Sequence, residues 1–353
     1  MKRLFRHLSQ LLPALLSLGL LAWVLRSADM GRALGLVRSL GFFLPLLLLP
    51  NLAAFLADSG GWWLSFARLG ERPRFRRLLA VRIMADALML GLPSGAVVSE
   101  TVQPYLLKRR CGVPTESGIV ASVARKFFVV SSHGLFLGLS TLLAWPLLEQ
   151  DSTAAIGRRG LPWGLVATSL VLVGVALGGV LATAHGRVAD RVHRGLDRFG
   201  GRWLGSWLER NALRFQRTDE GLAAFFRQEP MALAPSILIY MAGWFLRAVE
   251  TWLFLRLVGV DAPLPAAMVL ETSLILVRAM AVPVPAGLGV QDTGYVLCLK
   301  ALGVPDATTV GAAFVLLKRG KDLFWILLGF LLLGIGRRTG EAPLAAAPGA
   351  GAA

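Results

Sequence analysis

The chain has 353 residues, of which 55% are hydrophobic, and its mean hydropathy is +0.63. This apolar content extends along the whole chain and exceeds what the core of a soluble protein of this length requires, so we predict a polytopic membrane protein. The formal net charge of +16 would suggest nucleic-acid binding in a soluble protein. Here the basic residues cluster between apolar segments, as topology signals and lipid contacts do, and no RNA or DNA motif is present, so we expect no nucleic-acid partner.

Six apolar segments approach or exceed the roughly 20 residues that span a hydrocarbon core. They are Leu8 to Leu25, Leu40 to Ala57, Gly118 to Leu147, Trp163 to Ala184, Met231 to Leu257 and Ala307 to Ile335. Two further apolar segments, Leu78 to Val98 and Pro263 to Val284, are interrupted by charge and by proline or glycine. We therefore predict an all-α polytopic membrane protein with six full spans and two broken or re-entrant helical hairpins.

Three other regions complete the predicted domain organisation. The first apolar run has no small-x-small cleavage site, so we predict an uncleaved helix that begins a transmembrane domain over residues 1–338. In residues 187–217, apolar residues recur every three or four positions and arginines occupy the other face. This pattern predicts a basic amphipathic helix that binds anionic lipid at the cytoplasmic leaflet, with a solvated connector as the alternative. Residues 339–353, rich in alanine, glycine and proline, predict a disordered tail.

The basic loops predict the topology in a plasma (inner) membrane. Arg68 to Arg77, Arg187 to Arg217, Lys108 to Arg110 and Arg337 to Arg338 should be cytoplasmic by the positive-inside rule, as should both termini. The weaker loops, Glu149 to Leu161 and Gly259 to Ala262, then lie outside, although Arg26, Arg32 and Arg38 conflict with this scheme. Residues 78–107 must enter and leave on the cytoplasmic face, and residues 263–303 on the other. We therefore predict an inverted repeat with halves at about 1–148 and 163–338.

The two interrupted segments carry matching motifs. The first reads Leu92-Pro93-Ser94-Gly95, Glu100, Gly112-Val113-Pro114 and Arg125-Lys126; the second reads Val284-Pro285-Ala286-Gly287, Asp292, Gly303-Val304-Pro305 and Lys318-Arg319. Pro285 follows Pro93, and Asp292 follows Glu100, by the same 192 positions. Paired interrupted segments in two halves of a membrane protein indicate a transporter's binding site. Two unrelated kinks in a chain rich in proline and glycine are the alternative.

Ionisable residues within the apolar segments need a partner or a function, because each costs on the order of 2.5 to 3.5 kcal/mol at the bilayer centre. The spacings of Arg82 with Asp86 and of Arg247 with Glu250 favour ion pairs on one helix face. Glu271 and Arg278 either pair with other helices or line a pathway.

The cations that follow each break are candidates for binding an anionic headgroup. Arg125 and Lys126 follow the first break, and Lys318 and Arg319 follow the second. Cations in a low-dielectric cavity bind phosphate well, although these side chains could instead extend to the membrane interface. The carboxylates Glu100 and Asp292 would gate the cavity or exchange protons. We predict no catalytic residue, cofactor or metal site, because Cys111 and Cys298 lack metal-ligand spacing and no metal or nucleophile motif is present.

The segment Pro283-Val284-Pro285-Ala286-Gly287-Leu288-Gly289-Val290-Gln291-Asp292 resembles the flippase-like family related to the lysylphosphatidylglycerol synthase transmembrane region, including hopanoid-associated relatives. The family pattern has glycine and glutamate where this chain has Ala286 and Asp292. The resemblance implies a membrane protein that handles a phospholipid or polyisoprenoid lipid. A lipid flippase working by alternating access is the leading hypothesis. A membrane-embedded lipid-modifying enzyme and a scaffold for lipid biosynthesis are the alternatives.

Overall fold

A computed structural model describes residues 19, 22, 26, 28–92, 94–156, 160–184, 217–227, 230–280 and 287–338. These residues form helices joined by short connections, and no β-strand occurs among them, so the predicted all-α class is confirmed. Most of the predicted first helix, nearly all of the predicted amphipathic helix and the predicted tail lie outside the described residues, as do residues 93 and 281–286 at the two breaks.

We number the helices in chain order. They are α1 (Met30–Ser39), α2 (Leu49–Arg68), α3 (Phe75–Gly91), α4 (Gly95–Cys111), α5 (Thr115–Leu143), α6 (Trp145–Ile156), α7 (Leu161–Ala184), α8 (Pro230–Leu257), α9 (Leu264–Met280), α10 (Val290–Ala301) and α11 (Ala307–Arg338). A 3₁₀ helix, Gly41–Leu48, precedes α2, and a short helical segment over residues 217–226 precedes α8.

Four helices within the described part of the chain are long and apolar enough to cross a membrane. Their apolar stretches are Leu44–Arg68, Thr115–Leu143, Leu161–Ala184 and Leu233–Leu257. Each overlaps a predicted span. The fifth predicted span within this part corresponds to the 32-residue helix α11. That helix carries a cluster of charged residues and is not among the four helices that are apolar enough to cross a membrane.

Two predicted boundaries are corrected by the structure. The predicted span Leu40 to Ala57 begins as a 3₁₀ helix containing Pro45, and the α-helix then continues eleven residues further than predicted, to Arg68. Proline lacks the N–H that an α-helical ladder needs, whereas a proline in the first turn of α2 is tolerated. The predicted loop from Glu149 is helical as far as Ile156, because α6 follows α5 after one residue.

Two of the hydrophobic clusters in the described part of the chain mark opposite ends of the bundle. At the first end, apolar side chains from α2, α3, α4 and α5 pack together with the end of α11; the cluster includes Trp62, Phe66, Leu78, Leu107, Val113 and Leu332. At the second end, the 3₁₀ segment, the end of α8 and the start of α11 pack together; that cluster includes Leu40, Leu47, Val258, Val260 and Ala307. We use these two clusters to define the first and second ends.

Helices α2 and α8 cross each other in opposite directions through close contacts. A Cβ added to Gly61 would lie 2.7 Å from the Tyr240 ring. Further along α2, Arg68 Nη1 donates a hydrogen bond to Ser236 Oγ at 3.1 Å. Residue numbers rise along α2 while those of the contacting residues fall along α8. The two helices are therefore antiparallel.

Two helical hairpins enter the bundle from its opposite ends. In the first, α3 and α4 run antiparallel, and Ser99 Oγ donates to the carbonyl oxygen of Ala85 at 2.7 Å. In the second, α9 and α10 run antiparallel, and Tyr295 Oη donates to Glu271 at 3.2 Å. The open side of the α3/α4 hairpin lies at the first end, and that of the α9/α10 hairpin lies at the second end.

Candidate functional site

A cavity of about 430 Å³ lies between the turns of the two hairpins. Gly95 contributes to its wall from the first hairpin, and Gly287 contributes from the second. The wall also contains charged and aromatic side chains from α2, α5, α8 and α11. Both interrupted segments, although nearly 200 residues apart in the chain, therefore face one interior space.

The two turns need glycine for different reasons. A Cβ at Gly95 would lie 2.4 Å from the carbonyl oxygens of both Leu88 and Met89, so a side chain here would push α4 away from α3. Gly287 has φ +62°, a conformation that favours glycine, and a Cβ there would lie 2.6 Å from Cγ of Arg278. The first turn is thus fixed by backbone contact, and the second by backbone conformation.

One group of charged side chains surrounds Asp58 on α2. Its Oδ2 accepts from Arg82 Nε at 2.6 Å and from Arg125 Nη2 at 3.2 Å. Arg82 Nη1 also donates to Asp86 Oδ1 at 3.1 Å, the pair that their spacing favours. The two guanidinium groups lie near aromatic rings, Arg82 over Phe55 and Arg125 over Trp62. These contacts offset the desolvation of charges inside the bundle.

A second group surrounds Lys318 on α11. Its Nζ contacts Glu250 at 3.0 Å, Glu271 at 3.1 Å and Thr251 at 2.7 Å. Lys321 Nζ contacts the same oxygen of Glu250 at 2.9 Å. The predicted pairing of Glu250 with Arg247 is therefore corrected, because Glu250 forms its ion pairs with Lys318 and Lys321 on α11. A helix-local spacing could not reveal partners on a helix about 70 residues later.

The two groups match each other along the sequence. Glu250 follows Asp58 by 192 positions, and Lys318 follows Arg125 by 193 positions. In both halves the carboxylate lies on the helix that precedes the hairpin, and the cation lies on the helix that follows it. The spacing that relates the two breaks therefore also relates two ion pairs inside the bundle.

A second matched pair connects each hairpin to the helix that follows it. Lys126 Nζ lies 2.5 Å from Glu100 Oε1, and Arg319 Nη2 lies 2.6 Å from Asp292 Oδ1. Asp292 Oδ2 also accepts from the backbone N–H of Gly289 at 2.9 Å, so this carboxylate stabilises the start of α10 as well. Glu100 lies one turn further into its helix, away from the N-terminus.

The matched hairpin pairs differ in exposure. The Lys126 and Glu100 side chains are 49% and 33% exposed, whereas those of Arg319 and Asp292 are 19% and 1% exposed. Lys126 and Glu100 lie on the cavity wall, and the other pair does not. The cavity therefore reaches the ion pair of the first hairpin but not that of the second.

The structure brings most of the predicted site residues to one place. Seven of them line the cavity: Arg82, Asp86, Glu100, Arg125, Lys126, Glu271 and Arg278. Lys318, Arg319 and Asp292 lie in the adjoining ion-pair groups instead. Their roles in binding or gating stay predictions.

Sequence analysis missed Asp58, which holds two arginines. The predicted span ended at Ala57, so the carboxylate was placed beyond the helix instead of inside it. A charged residue followed by a further apolar stretch is a signal that could have identified it. Its spacing from Glu250 is a second signal. Tyr240 was also missed, because a tyrosine within an apolar helix gives no distinctive pattern.

Two arginines in the cavity wall make no direct ion pair with a described residue, and each interacts with a wall carboxylate only at longer range, Arg247 with Asp58 and Arg278 with Asp322. Among the described residues, neither Arg247 nor Arg278 makes an ion pair; Arg247 lies over the Trp244 ring, 5.9 Å from its centroid. Two further donors in the wall are unsatisfied: within the described structure, Tyr240 Oη and Arg125 Nε are buried without a hydrogen-bond partner. The cavity thus offers both charge and hydrogen-bond donors to an anion.

The long apolar helices and the charged interior define an integral membrane protein. Residues 10–329 match the family described as the lysylphosphatidylglycerol synthase TM region. The chain therefore belongs to this family, as the motif of the second hairpin predicted, and membership indicates a membrane lipid-related protein. A comparison with curated proteins found no match.

Proposed function

We propose that this protein is a flippase that moves a lipid with an anionic headgroup between leaflets by alternating access. In this proposal the headgroup enters the central cavity while the acyl chains stay between helices. The transmembrane part consists of six spans and two re-entrant hairpins arranged as an inverted repeat in the plasma (inner) membrane. Both termini are cytoplasmic, and the basic segment 187–217 contacts anionic lipid at that face.

The inverted repeat is supported by the directions of equivalent helices. Helix α2 and its counterpart α8 are antiparallel, and the two hairpins open at opposite ends of the bundle. Arg110 donates to the carbonyl oxygen of Leu332 at 2.7 Å, and Arg32 pairs with Asp306 at 3.0 Å near the other end of α11. The basic cluster that contains Arg110 supports a cytoplasmic first end, whereas Arg32 at the second end is one of the arginines that conflict with the positive-inside rule.

The observation that carries the proposal is a pair of cavity arginines, Arg247 and Arg278, that make no direct ion pair with a described residue. A permanently charged guanidinium in a cavity wall is stabilised by an anion that brings its own acceptor oxygens. Tyr240 Oη and Arg125 Nε can add hydrogen bonds to the same ligand. A phosphate group supplies this chemistry, and it is the feature that anionic glycerophospholipids and polyisoprenoid phosphates share.

The cations predicted from the sequence to bind the headgroup have a later role in this proposal. Arg125, Lys126, Lys318 and Arg319 each have a carboxylate partner. We propose that Arg247 and Arg278 hold the phosphate first. The paired cations then exchange their carboxylates for it as the hairpins move.

The experiment is a transport assay with purified protein in liposomes that contain labelled phosphatidylglycerol. We expect the wild type to move label between leaflets, and Arg247→Gln combined with Arg278→Gln to slow this at least about ten-fold, since a charge-assisted contact contributes about 1.5 to 3 kcal/mol. Arg256→Gln is the control, because Arg256 lies on the same helix as Arg247 but pairs with Asp261 outside the cavity. Equal rates in all three proteins would refute the cavity as the headgroup site.

Mass analysis of the lipids after the same incubation tests the enzyme alternative. A flippase leaves the lipid chemically unchanged. Formation of a modified lipid without transfer between leaflets would replace the transport proposal with a lipid-modifying activity. If the folded protein neither transfers nor modifies the lipid, the scaffold function is favoured.

The topology has its own test. After replacement of Cys111 and Cys298, single cysteines introduced at Arg109 and at Asp261 should be labelled from opposite sides of the membrane. We expect the first to react only from the cytoplasm and the second only from outside. Labelling of both from one side would contradict the inverted repeat.

A further inference from the structure

A buried glutamine in the wall of the central cavity lacks a partner for one of its two polar atoms. Gln103 lies on α4, is 2% exposed and contributes to the cavity wall. Its Nε2 donates a hydrogen bond to Ser99 Oγ at 3.3 Å, whereas its Oε1 is buried and accepts no hydrogen bond within the described part of the chain. An unsatisfied buried acceptor is costly, so a group that enters the cavity and donates to it would be stabilised.

The contacts of Ser99 determine which atom of the Gln103 amide is left without a partner. Ser99 Oγ donates its only hydrogen to the carbonyl oxygen of Ala85 at 2.7 Å, and a carbonyl oxygen can only accept. Ser99 Oγ must therefore accept from Gln103, so the amide nitrogen faces Ser99. Turning the amide over would place two acceptors against each other. The unsatisfied atom is thus the oxygen, and its ligand must be a donor.

The register of α4 on α5 places this acceptor close to Arg125. The two antiparallel helices meet at the ion pair of the first hairpin and again where Leu107 lies against Gly118. Gln103 lies between these two contacts, about one helical turn along α5 from Arg125. Arg125 Nε is itself a buried donor without a hydrogen-bond partner among the described residues. The wall therefore has an unsatisfied donor and an unsatisfied acceptor near each other.

The charges of the wall favour a neutral donor for Gln103. Within the described structure, each carboxylate of the wall is already in a direct ion pair: Asp58, Asp86, Glu100, Glu271 and Asp322. The wall also has more basic side chains than carboxylates. An ammonium group would bring further positive charge and would find no free carboxylate, whereas a hydroxyl group donates a hydrogen bond without adding charge.

We propose that the cavity selects a phospholipid whose headgroup carries a hydroxyl group close to its phosphate, as glycerol and inositol headgroups do, and that Gln103 Oε1 accepts from this hydroxyl. The phosphate contacts Arg247 and Arg278, and Arg125 Nε donates to the same headgroup. This inference rests on the proposed function, because it assigns the headgroup of the lipid that the cavity would hold. A headgroup without a hydroxyl leaves Gln103 Oε1 unsatisfied and binds more weakly.

Binding of short-chain lipids to the full-length protein in detergent tests this inference without a transport measurement. Dihexanoyl-phosphatidylglycerol and dihexanoyl-phosphatidylmethanol carry the same negative charge, but only the first has headgroup hydroxyls. Isothermal titration calorimetry should show about five- to ten-fold tighter binding of the glycerol lipid. Dihexanoyl-phosphatidylinositol should share this advantage, and dihexanoyl-phosphatidylethanolamine should not. Equal affinity for the glycerol and methanol lipids would overturn the inference, and tighter binding of the ethanolamine lipid would contradict a neutral donor.

A matched pair of glutamine substitutions tests whether Gln103 is responsible. Gln103→Leu should abolish the preference for the glycerol lipid and leave the affinity for the methanol lipid unchanged, because leucine lacks the acceptor and Ser99 keeps its hydrogen bond to Ala85. Gln291→Leu is the control, since Gln291 is also buried but donates to Tyr295 outside the cavity wall. A preference that persists in Gln103→Leu, or that disappears equally in Gln291→Leu, would exclude Gln103 as the acceptor.

The binding measurements separate this inference from the proposed function. If both lipids bind the wild type equally, and Arg247→Gln combined with Arg278→Gln weakens both, the cavity holds a headgroup but does not select a hydroxyl. Only the inference then fails. If neither lipid binds the folded wild type, the headgroup site is refuted and the inference with it. The comparison of lipids on the wild type needs no substitution, so it decides the question even if Gln103→Leu does not fold.

Discussion

The two hairpins of this protein have matching sequences, yet their ion pairs have different surroundings. Lys126 and Glu100 lie on the cavity wall and are partly exposed, whereas Arg319 and Asp292 are largely buried. The same chemical pairing is therefore water-accessible in one half and sequestered in the other. In an alternating-access protein, this difference is expected of a conformation in which the cavity has opened beside one hairpin and closed beside the other.

The positions of the charged residues and their exposure have different origins. The positions of the carboxylates and cations follow from sequence spacing, and they are alike in both halves. Their exposure depends on how the hairpins and the long helices pack, and it differs between the halves. If the Arg319–Asp292 pair became exposed and the Lys126–Glu100 pair became buried, the ion pairs would be the same. The cavity would then lie beside the second hairpin instead of the first.

The largest expected effect is on stability, from Lys318→Met. This substitution leaves Glu271 buried without its ion-pair partner, and breaking a buried pair in this way typically lowers the free energy of unfolding by about 3–5 kcal/mol. Lys126→Met is the control, because its partner Glu100 is one-third exposed and can be hydrated. Denaturant titration in detergent should show a much smaller change for the control. Similar losses in both variants would remove the distinction between buried and exposed pairs.

The next effect concerns the turns. Gly95→Ala places a methyl group 2.4 Å from two carbonyl oxygens, and overpacking of this kind reduces the free energy of unfolding by about 1–3 kcal/mol. Gly334→Ala, at an open position, should be nearly neutral. The same denaturant titration measures both variants. If Gly95→Ala were as stable as this control, close packing of α3 on α4 would be excluded as the reason for the glycine.

A transport comparison sharpens the roles of the two carboxylates. Glu100→Gln and Asp292→Asn should both slow lipid transport in liposomes without preventing membrane insertion, because each removes one partner of a hairpin ion pair. Asp292→Asn should also lower stability, since Asp292 supports the start of α10. If both mutants transport at the wild-type rate, the carboxylates are structural only.

An imposed pH gradient distinguishes proton exchange from gating in these proteins. Under proton exchange, the wild type responds to the gradient and the two variants lose that response. Under gating alone, the gradient leaves the wild-type rate unchanged. The measurement is the initial rate of lipid transfer at equal internal volume and lipid composition.

The smallest expected effect is the coupling between Lys126 and Glu100. A double-mutant cycle with Lys126→Gln and Glu100→Gln should give at most about 1 kcal/mol, as for other exposed ion pairs. High salt should reduce this coupling further, because solvent-accessible charges are screened. A coupling that is large and independent of salt would mean that the pair becomes buried in the dominant solution state.

Much of the site was predictable because its residues are unusual in apolar segments. Arg82, Asp86, Glu271 and Arg278 were each identified as intramembrane charges, and all four line the cavity. The repeat of proline, glycine and acid located both turns beside that cavity. Partners on distant helices could not be predicted in this way, because a helical period relates only residues within a few turns of each other. The contacts of Glu250 with Lys318 and Lys321 are the clearest case.

The sequence by itself determined the all-α membrane class, the family and the two matched breaks, because apolar length, charge and proline are local properties of the chain. The tertiary structure alone decided which charges pair and which stay unpaired. Glu250 has two lysine partners, while Arg247, three residues earlier, has no ion-pair partner in the described part of the chain. The physical reason is that desolvation and pairing depend on distances between helices, and those distances are set by packing the whole bundle.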